Sequence, residues 1–218
     1  MREVYVRQLE ELREGLLRMG SMVEHALTQA VKSLETWDTT IAGQVISNDI
    51  QIDELWRDTE LRSYRLLATQ QPIVGRDLRF MITVISVASE LERIGDYANR
   101  IAKRARRSAR RAVMVPAPSQ VHELYTLALN MLHQSIDALV RQDIELAHSL
   151  TQADERIDQL VDTLREELLA LARVDGQKVD AVIDLIEVIE ALERTADRST
   201  NIGERVIYLV TNDLETLN

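Results

Sequence analysis

Four pairs of acidic residues are the first chemistry the chain offers: Asp49-x-x-x-Asp53, Glu92-x-x-x-Asp96, Asp154-x-x-x-Asp158 and Glu193-x-x-x-Asp197. Residues four apart on a helix lie one turn above each other on the same face. Like charges there repel, so each pair mildly destabilises its helix until something neutralises it. Carboxylate oxygens suit hard or borderline cations, and two helices packed side by side would bring four of them together. A single acidic pair is more often the solvated face of a helix, and a chain with 36 acidic residues holds many by chance. Four pairs at matching places in a duplicated sequence weigh against chance. The residues alone leave both readings open, cation ligands and solvated face.

Other catalytic patterns are thinner. Glu145-x-x-His148 has the spacing of a di-iron ligand pair, but such sites need two of these pairs, and the matching places in the other half are Thr40 and Gly43. The four histidines, at 25, 122, 133 and 148, are not duplicated between halves and read as exposed or half-buried helix residues. No Ser–His–acid order, P-loop or glycine-rich strand-to-helix turn occurs, so hydrolase and nucleotide-binding readings find no support in motifs. Without cysteine there is no thiolate metal site, thiol catalysis or disulfide.

A basic run, RIAKRARRSARR from Arg100 to Arg111, carries seven positive charges in twelve residues. On a helical wheel Ile101, Ala102, Ala105 and Ala109 share one side, and the seven cations spread over about 160° of the other. Three readings stand. The run is a solvated helix end that complements the helix dipole, a docking surface for an acidic partner or anionic lipid headgroups, or a nucleic-acid contact. The last fits poorly with a net charge of −10 and with the lack of interleaved aromatics. The matching segment of the second half, NIGERVIYLVTND, has no such run.

The elements that must position these residues are long helices. In 218 residues there are 7 Gly, 3 Pro and 4% aromatics, too little punctuation for turn-rich β architectures, while a 45% hydrophobic fraction suffices for a core. Pro72, Pro116 and Pro118 break the helical pattern, Asp175-Gly176 marks a turn, and Asp38 and Asp143 are placed to cap the helices that follow them. The spacing predicts helices over 3–36, 39–70, 76–112, 119–141, 144–173 and 178–212. At an offset of 105, Asp38, Ala42, Asp49, Ile52, Asp53 and Leu55 fall on Asp143, Ala147, Asp154, Ile157, Asp158 and Leu160. At an offset of 101, Leu91, Glu92, Arg93, Asp96 and Ile101 fall on Leu192, Glu193, Arg194, Asp197 and Ile202. The change of offset places a shorter loop in the second half, as a duplicated unit tolerates. The expectation is an all-α fold of two tandem three-helix bundles, 1–114 and 115–218. The opening segment MREVYVRQLEELRE lacks the apolar core of a signal peptide, and no stretch approaches the ~20 apolar residues of a membrane span. A soluble, cytoplasmic protein is therefore expected.

Two segments, SELERIGDYANRIAKR (Ser89 to Arg104) and ALERTADRSTNIGERVIYLVTND (Ala191 to Asp213), resemble the signature segments of the PhoU family. RDLRFMITVISVASELERIGD (Arg76 to Asp96) is similar to that family's third helix and LREGLLRMGSMVEHAL (Leu12 to Leu27) to its first, so the likeness covers essentially the whole chain. The resemblance implies two similar three-helix bundles side by side. It implies a multinuclear metal cluster, iron among the metals, on Asp49, Asp53, Glu92 and Asp96 and on Asp154, Asp158, Glu193 and Asp197. It implies a non-enzymatic regulator that represses the phosphate-starvation response when phosphate is plentiful. The implied partners are the PstB-type ATPase of the Pst phosphate transporter, a PhoR-type sensor histidine kinase and a second copy of the chain. Location is then cytoplasmic, at the inner membrane face through partners. The sequence departs from the family at Arg100, where Asn is frequent, and at Thr195 and Arg198, where Ile and His or an aromatic are common. Arg100 and Arg198 are thereby placed as counter-charges beside the two acidic rows. The carboxylates also admit another class of function, a helical bundle that stores a metal or uses it in catalysis.

Overall fold

Two helix starts, each on an aspartate, can be traced to a side-chain cap. The Asp38 side chain accepts hydrogen bonds from the amides of Thr40 (2.8 Å) and Ile41 (3.0 Å), and Asp143 accepts one from Leu146 (3.0 Å), so both act as the caps the sequence predicts. Before each cap the chain turns through a left-handed residue, Trp37 (φ 57°) and Gln142 (φ 54°). The amides of Asp38 and Asp143 then reach back to the carbonyls of Ser33 and Ala138 and satisfy the preceding helix end. The computed structural model describes residues 2–70 and 72–217. It contains α1 (Arg2–Thr36), α2 (Thr39–Thr69), α3 (Gly75–Ser108), α4 (Ser119–Arg141), α5 (Ile144–Val174) and α6 (Val179–Thr211), with a 3₁₀ turn at Gly176–Lys178. Among the described residues there is no strand, and no helix is long and apolar enough to cross a membrane.

Five of the six helices end within about two residues of expectation, and the third does not. The basic run suggests a helix to residue 112, but α3 stops at Ser108. The amides of Arg110 and Arg111 close a turn on the carbonyls of Arg107 and Ser108. That turn lets Arg111 donate from Nε to Asp184 (2.7 Å) and from Nη1 to Asp180 (3.0 Å), both near the start of α6. A tertiary ion pair has overridden helix propensity.

The third helix of each trio is central. α3 packs on α1, α2 and α6, while α6 packs on α4, α5 and α3. The expected core stripe holds: Met19, Val23, Leu27, Ala30, Val31 and Leu34 are buried on α1, and Leu124, Ala128, Met131 and Leu132 on α4. One continuous apolar cluster runs from Leu27 and Leu34 through Ala98, Ala102 and Ala105 to Leu124, Val188 and Leu192, so the two trios share a core. Small residues where α3 meets α6 let the two backbones approach, and each large side chain buried there stabilises the fold by about 1.5–3 kcal/mol.

Candidate metal-binding clusters

α2 folds back antiparallel to α3, with Asp49 opposite Asn99 and Ile52 against Gly95. A Cβ at residue 95 would lie 3.2 Å from two carbons of Ile52, so the glycine permits this close approach. The register lines Asp49 and Asp53 up beside Glu92 and Asp96. The same arrangement in α5 and α6 lines Asp154 and Asp158 up beside Glu193 and Asp197. The eight residues thus form two rows of four, half-buried except for the exposed Asp96 and Asp158.

The electrostatics show how crowded the rows are. Burial, and then the charge of Asp96 and Asp53, pushes the Glu92 carboxyl up. Burial and Asp53 do the same to Asp96. Asp49 is also raised, first by burial, against the lowering effect of the hydrogen bond it accepts from Asn99 Nδ2. In the second row burial leads again, helped by neighbouring carboxylates: Glu193 and Asp197 rise, and Asp154 is pushed up to about 6. Two groups that each prefer to shed charge, in one row, gain from a cation.

The residues around the rows differ. Position 200, which matches Asn99, is Thr200, whose hydroxyl bonds the carbonyl of Ala196 within its own helix. Asp154 therefore has no amide partner, and its buried Oδ1 is without any hydrogen bond. That orphaned oxygen and the all-oxygen donor set fit a hard cation. As they stand, no three His, Asp or Glu side chains among the described residues are arranged to hold one ion.

The counter-charges expected beside the rows are used otherwise. Arg198 reaches Glu90 on α3 (3.3 Å), which Asn201 also approaches (3.4 Å), so it ties the two trios together. Arg100 lies over the Tyr97 ring, 5.6 Å from its centre. Both still lower the nearby Asp197 and Asp96, as lesser influences than burial. Arg57 and Arg165 approach the rows instead, at 3.5 Å from Asp53 and 3.6 Å from Glu193. Neither was visible as a site residue from motif spacing, and Asn99 was legible only as a neighbour of Arg100. Glu145 is exposed and His148 turns to Glu215 (3.9 Å), so the pair belongs to neither row.

The basic run is partly internal. Arg104, Arg107 and Arg111 all approach Asp184, which is 1% exposed, at 3.5, 3.7 and 2.7 Å. Only part of the predicted cationic surface therefore faces outward, with Lys103, Arg107 and Arg110 exposed and Arg106 half-buried.

Comparisons with known proteins agree with the six-helix fold. The family model described as "PhoU domain" matches the chain twice, over residues 16–105 and 121–206. A phosphate-specific transport system accessory protein PhoU homolog of Clostridium acetobutylicum is 34% identical over 219 residues, covering 100% of this chain and 99% of that protein. Its counterpart in Streptococcus pneumoniae serotype 4 is 35% identical over the full length of both. The crystal structure of PhoU from Pseudomonas aeruginosa superposes with a TM-score of 0.91 at 33% identity, over 96% of this chain and 100% of that one. The phosphate transport system regulatory protein PhoU from Streptococcus pneumoniae superposes with a TM-score of 0.89 at 32% identity, over 97% and 99%.

Proposed function

The chain belongs to the PhoU family, and from that premise we propose that it is a non-enzymatic accessory protein of phosphate uptake that restrains the phosphate-starvation response when phosphate is plentiful. In this reading it links the PstB-type ATPase of the transporter to a PhoR-type sensor histidine kinase, acts at the inner face of the membrane through those partners, and associates as a homodimer. The observation that carries it is full-length likeness to phosphate-transport accessory proteins. Deleting the gene should derepress phosphate-starvation reporters in high phosphate. Unchanged repression would overturn the proposal.

The two rows are the proposed metal sites: Asp49, Asp53, Glu92 and Asp96 in the first, and Asp154, Asp158, Glu193 and Asp197 in the second. A bound iron cluster or divalent cation would supply positive charge that neutralises each row. The carboxylates would close on it from two helices, holding α2 to α3 and α5 to α6. Metal analysis of protein purified without chelator or affinity tag tests this, and less than ~0.2 metal per chain would overturn it. The outward cations Lys103, Arg106, Arg107 and Arg110 are the part of the basic run proposed to meet an acidic partner or anionic membrane. Binding should weaken with salt and with reversal of these four charges. Reversing Arg104 and Arg111, which are shielded against Asp184, would instead damage the fold.

A further inference from the structure

A groove of about 430 Å³ opens between α1 and α2. That volume falls in the range of small-molecule sites, roughly 300–1,000 Å³. Its floor is apolar, made by Met22, Ala26, Val45, Ile52 and the bare backbone of Gly95. The two ends of the groove differ in chemistry. Arg18 stands at one end, and it makes no ion pair among the described residues. Gln29, about 16 Å along α1 from Arg18, and Gln44 on α2 both line the groove away from that end. Asp49 reaches the wall, but its carboxylate is engaged by Asn99.

The second trio shows that this layout is not forced by the fold. The positions matching Arg18 and Gln51 are Glu123 and Arg156, and these form an ion pair of 2.9 Å across the same mouth. Asn48, on the rim of the groove, is matched by Ala153. One half closes the mouth with its own charges; the other leaves a guanidinium and several amides facing open space.

A cation at one end, an apolar floor and two amides away from that end complement one kind of ligand. Guanidinium binds phosphate through charge-assisted, bidentate hydrogen bonds. Side-chain amides pair with the donor and acceptor edge of a purine. The apolar floor suits the faces of the base and sugar. We propose that the α1–α2 groove of the first repeat binds a purine nucleotide, its phosphate at Arg18 and its base edge at Gln29 and Gln44. No glycine-rich loop takes part, which is why the motifs give no sign of it.

The test uses the full chain in excess chelator, so that the carboxylate rows hold no metal and a failure of the metal reading does not affect it. Protein carrying ¹³C-methyl methionine is titrated separately with AMP, ADP, adenosine and inorganic phosphate. AMP or ADP should shift the Met22 methyl and leave those of Met81 and Met131, which are buried elsewhere in the core. Adenosine and inorganic phosphate should each bind at least about tenfold more weakly, since each lacks one half of the recognition. Arg18→Glu, an exposed substitution, should weaken nucleotide binding by at least about tenfold, and Gln44→Leu should remove the preference for purine over pyrimidine nucleotides. No shift of Met22 with nucleotide near 1 mM (roughly the weak limit of specific binding) overturns the proposal. So does equal binding of inorganic phosphate, or nucleotide binding unchanged by both substitutions.

Discussion

The two repeats place the same four carboxylates on the same faces, yet they surround them differently. In the first, Asn99 donates to Asp49, and the amide offsets part of what burial and neighbouring charge do to that carboxyl. In the second, Thr200 has turned to its own helix, Asp154 keeps an orphaned buried oxygen, and its carboxyl is pushed up to about 6. Duplication has kept the residues that would ligate and let the supporting residues drift. Supporting groups set how strongly a row needs a cation, so equal ligands do not mean equal sites.

The central seam is the widest departure from symmetry. Asp184 on α6 is buried beneath Arg104, Arg107 and Arg111, and its match on α3 is Thr83, whose buried hydroxyl lacks a partner. Asp184→Ala removes the buried carboxylate the three arginines share, but Arg104 keeps Glu187, Arg111 keeps Asp180 and Arg107 faces solvent, so the loss should be about 1.5–3 kcal/mol in chemical denaturation. Thr83→Val removes an unsatisfied polar atom and should be neutral or slightly stabilising. Equal losses from the two changes would mean that the clamp contributes nothing particular to the join.

Metal loading sharpens the comparison next. Asp154→Asn and Asp49→Asn each remove one charge from a row, and each should weaken cation binding by about 10- to 100-fold in its own repeat, read by calorimetric titration of chelator-treated protein. Asn99→Ala adds an independent arm. It removes only the supporting amide, so it should make the first row behave more like the second without altering the metal content of the second. If Asn99→Ala left the affinity of the first row unchanged, the amide would not be what separates the two sites.

Acid titration is expected to separate them by a smaller margin. The folded chain holds the Asp154 proton to about pH 6, against 3.8 ordinarily. A carboxyl raised in the folded state contributes most below its unfolded value, and that contribution is lost as pH climbs through the folded one. Metal-free protein should therefore gain stability from this group between pH 7 and about 4, on the order of 1 kcal/mol after solvent screening of a half-buried side chain. Asp154→Asn should flatten that part of the pH profile, and Asp49→Asn should flatten it less. A profile that is steeper for Asp49→Asn than for Asp154→Asn would reverse the ranking.

Much of this is legible in the sequence, and what escapes it does so for tertiary reasons. Asp38 and Asp143 announce their helices because a capping bond spans only two or three residues. The acidic rows are legible because the i,i+4 spacing and the duplicated register need no distant information. The early end of α3 depends on Asp180 and Asp184, some seventy residues further along. Arg198 reads locally as a counter-charge to Asp197, yet it spends its hydrogen bond on Glu90 in the other repeat. The α1–α2 groove arises from what Arg18 and Gln51 fail to do, which becomes visible only beside the Glu123–Arg156 pair.

The smallest effect tests the symmetry of the turns. Trp37 and Gln142 hold matching left-handed conformations at matching places, and neither is glycine. A side chain there costs roughly 0.5–1 kcal/mol relative to glycine. Gln142 gives up little on truncation, a 3.5 Å contact from Arg76, so Gln142→Gly should raise stability by about 0.5 kcal/mol in thermal or chemical unfolding. Trp37 is half-buried, and the packing lost in Trp37→Gly should outweigh the same backbone relief and leave that variant less stable. Opposite signs at two positions of identical backbone geometry would show that conformation is shared by the repeats while the side chains have taken separate roles. Matching signs would return both turns to simple copies.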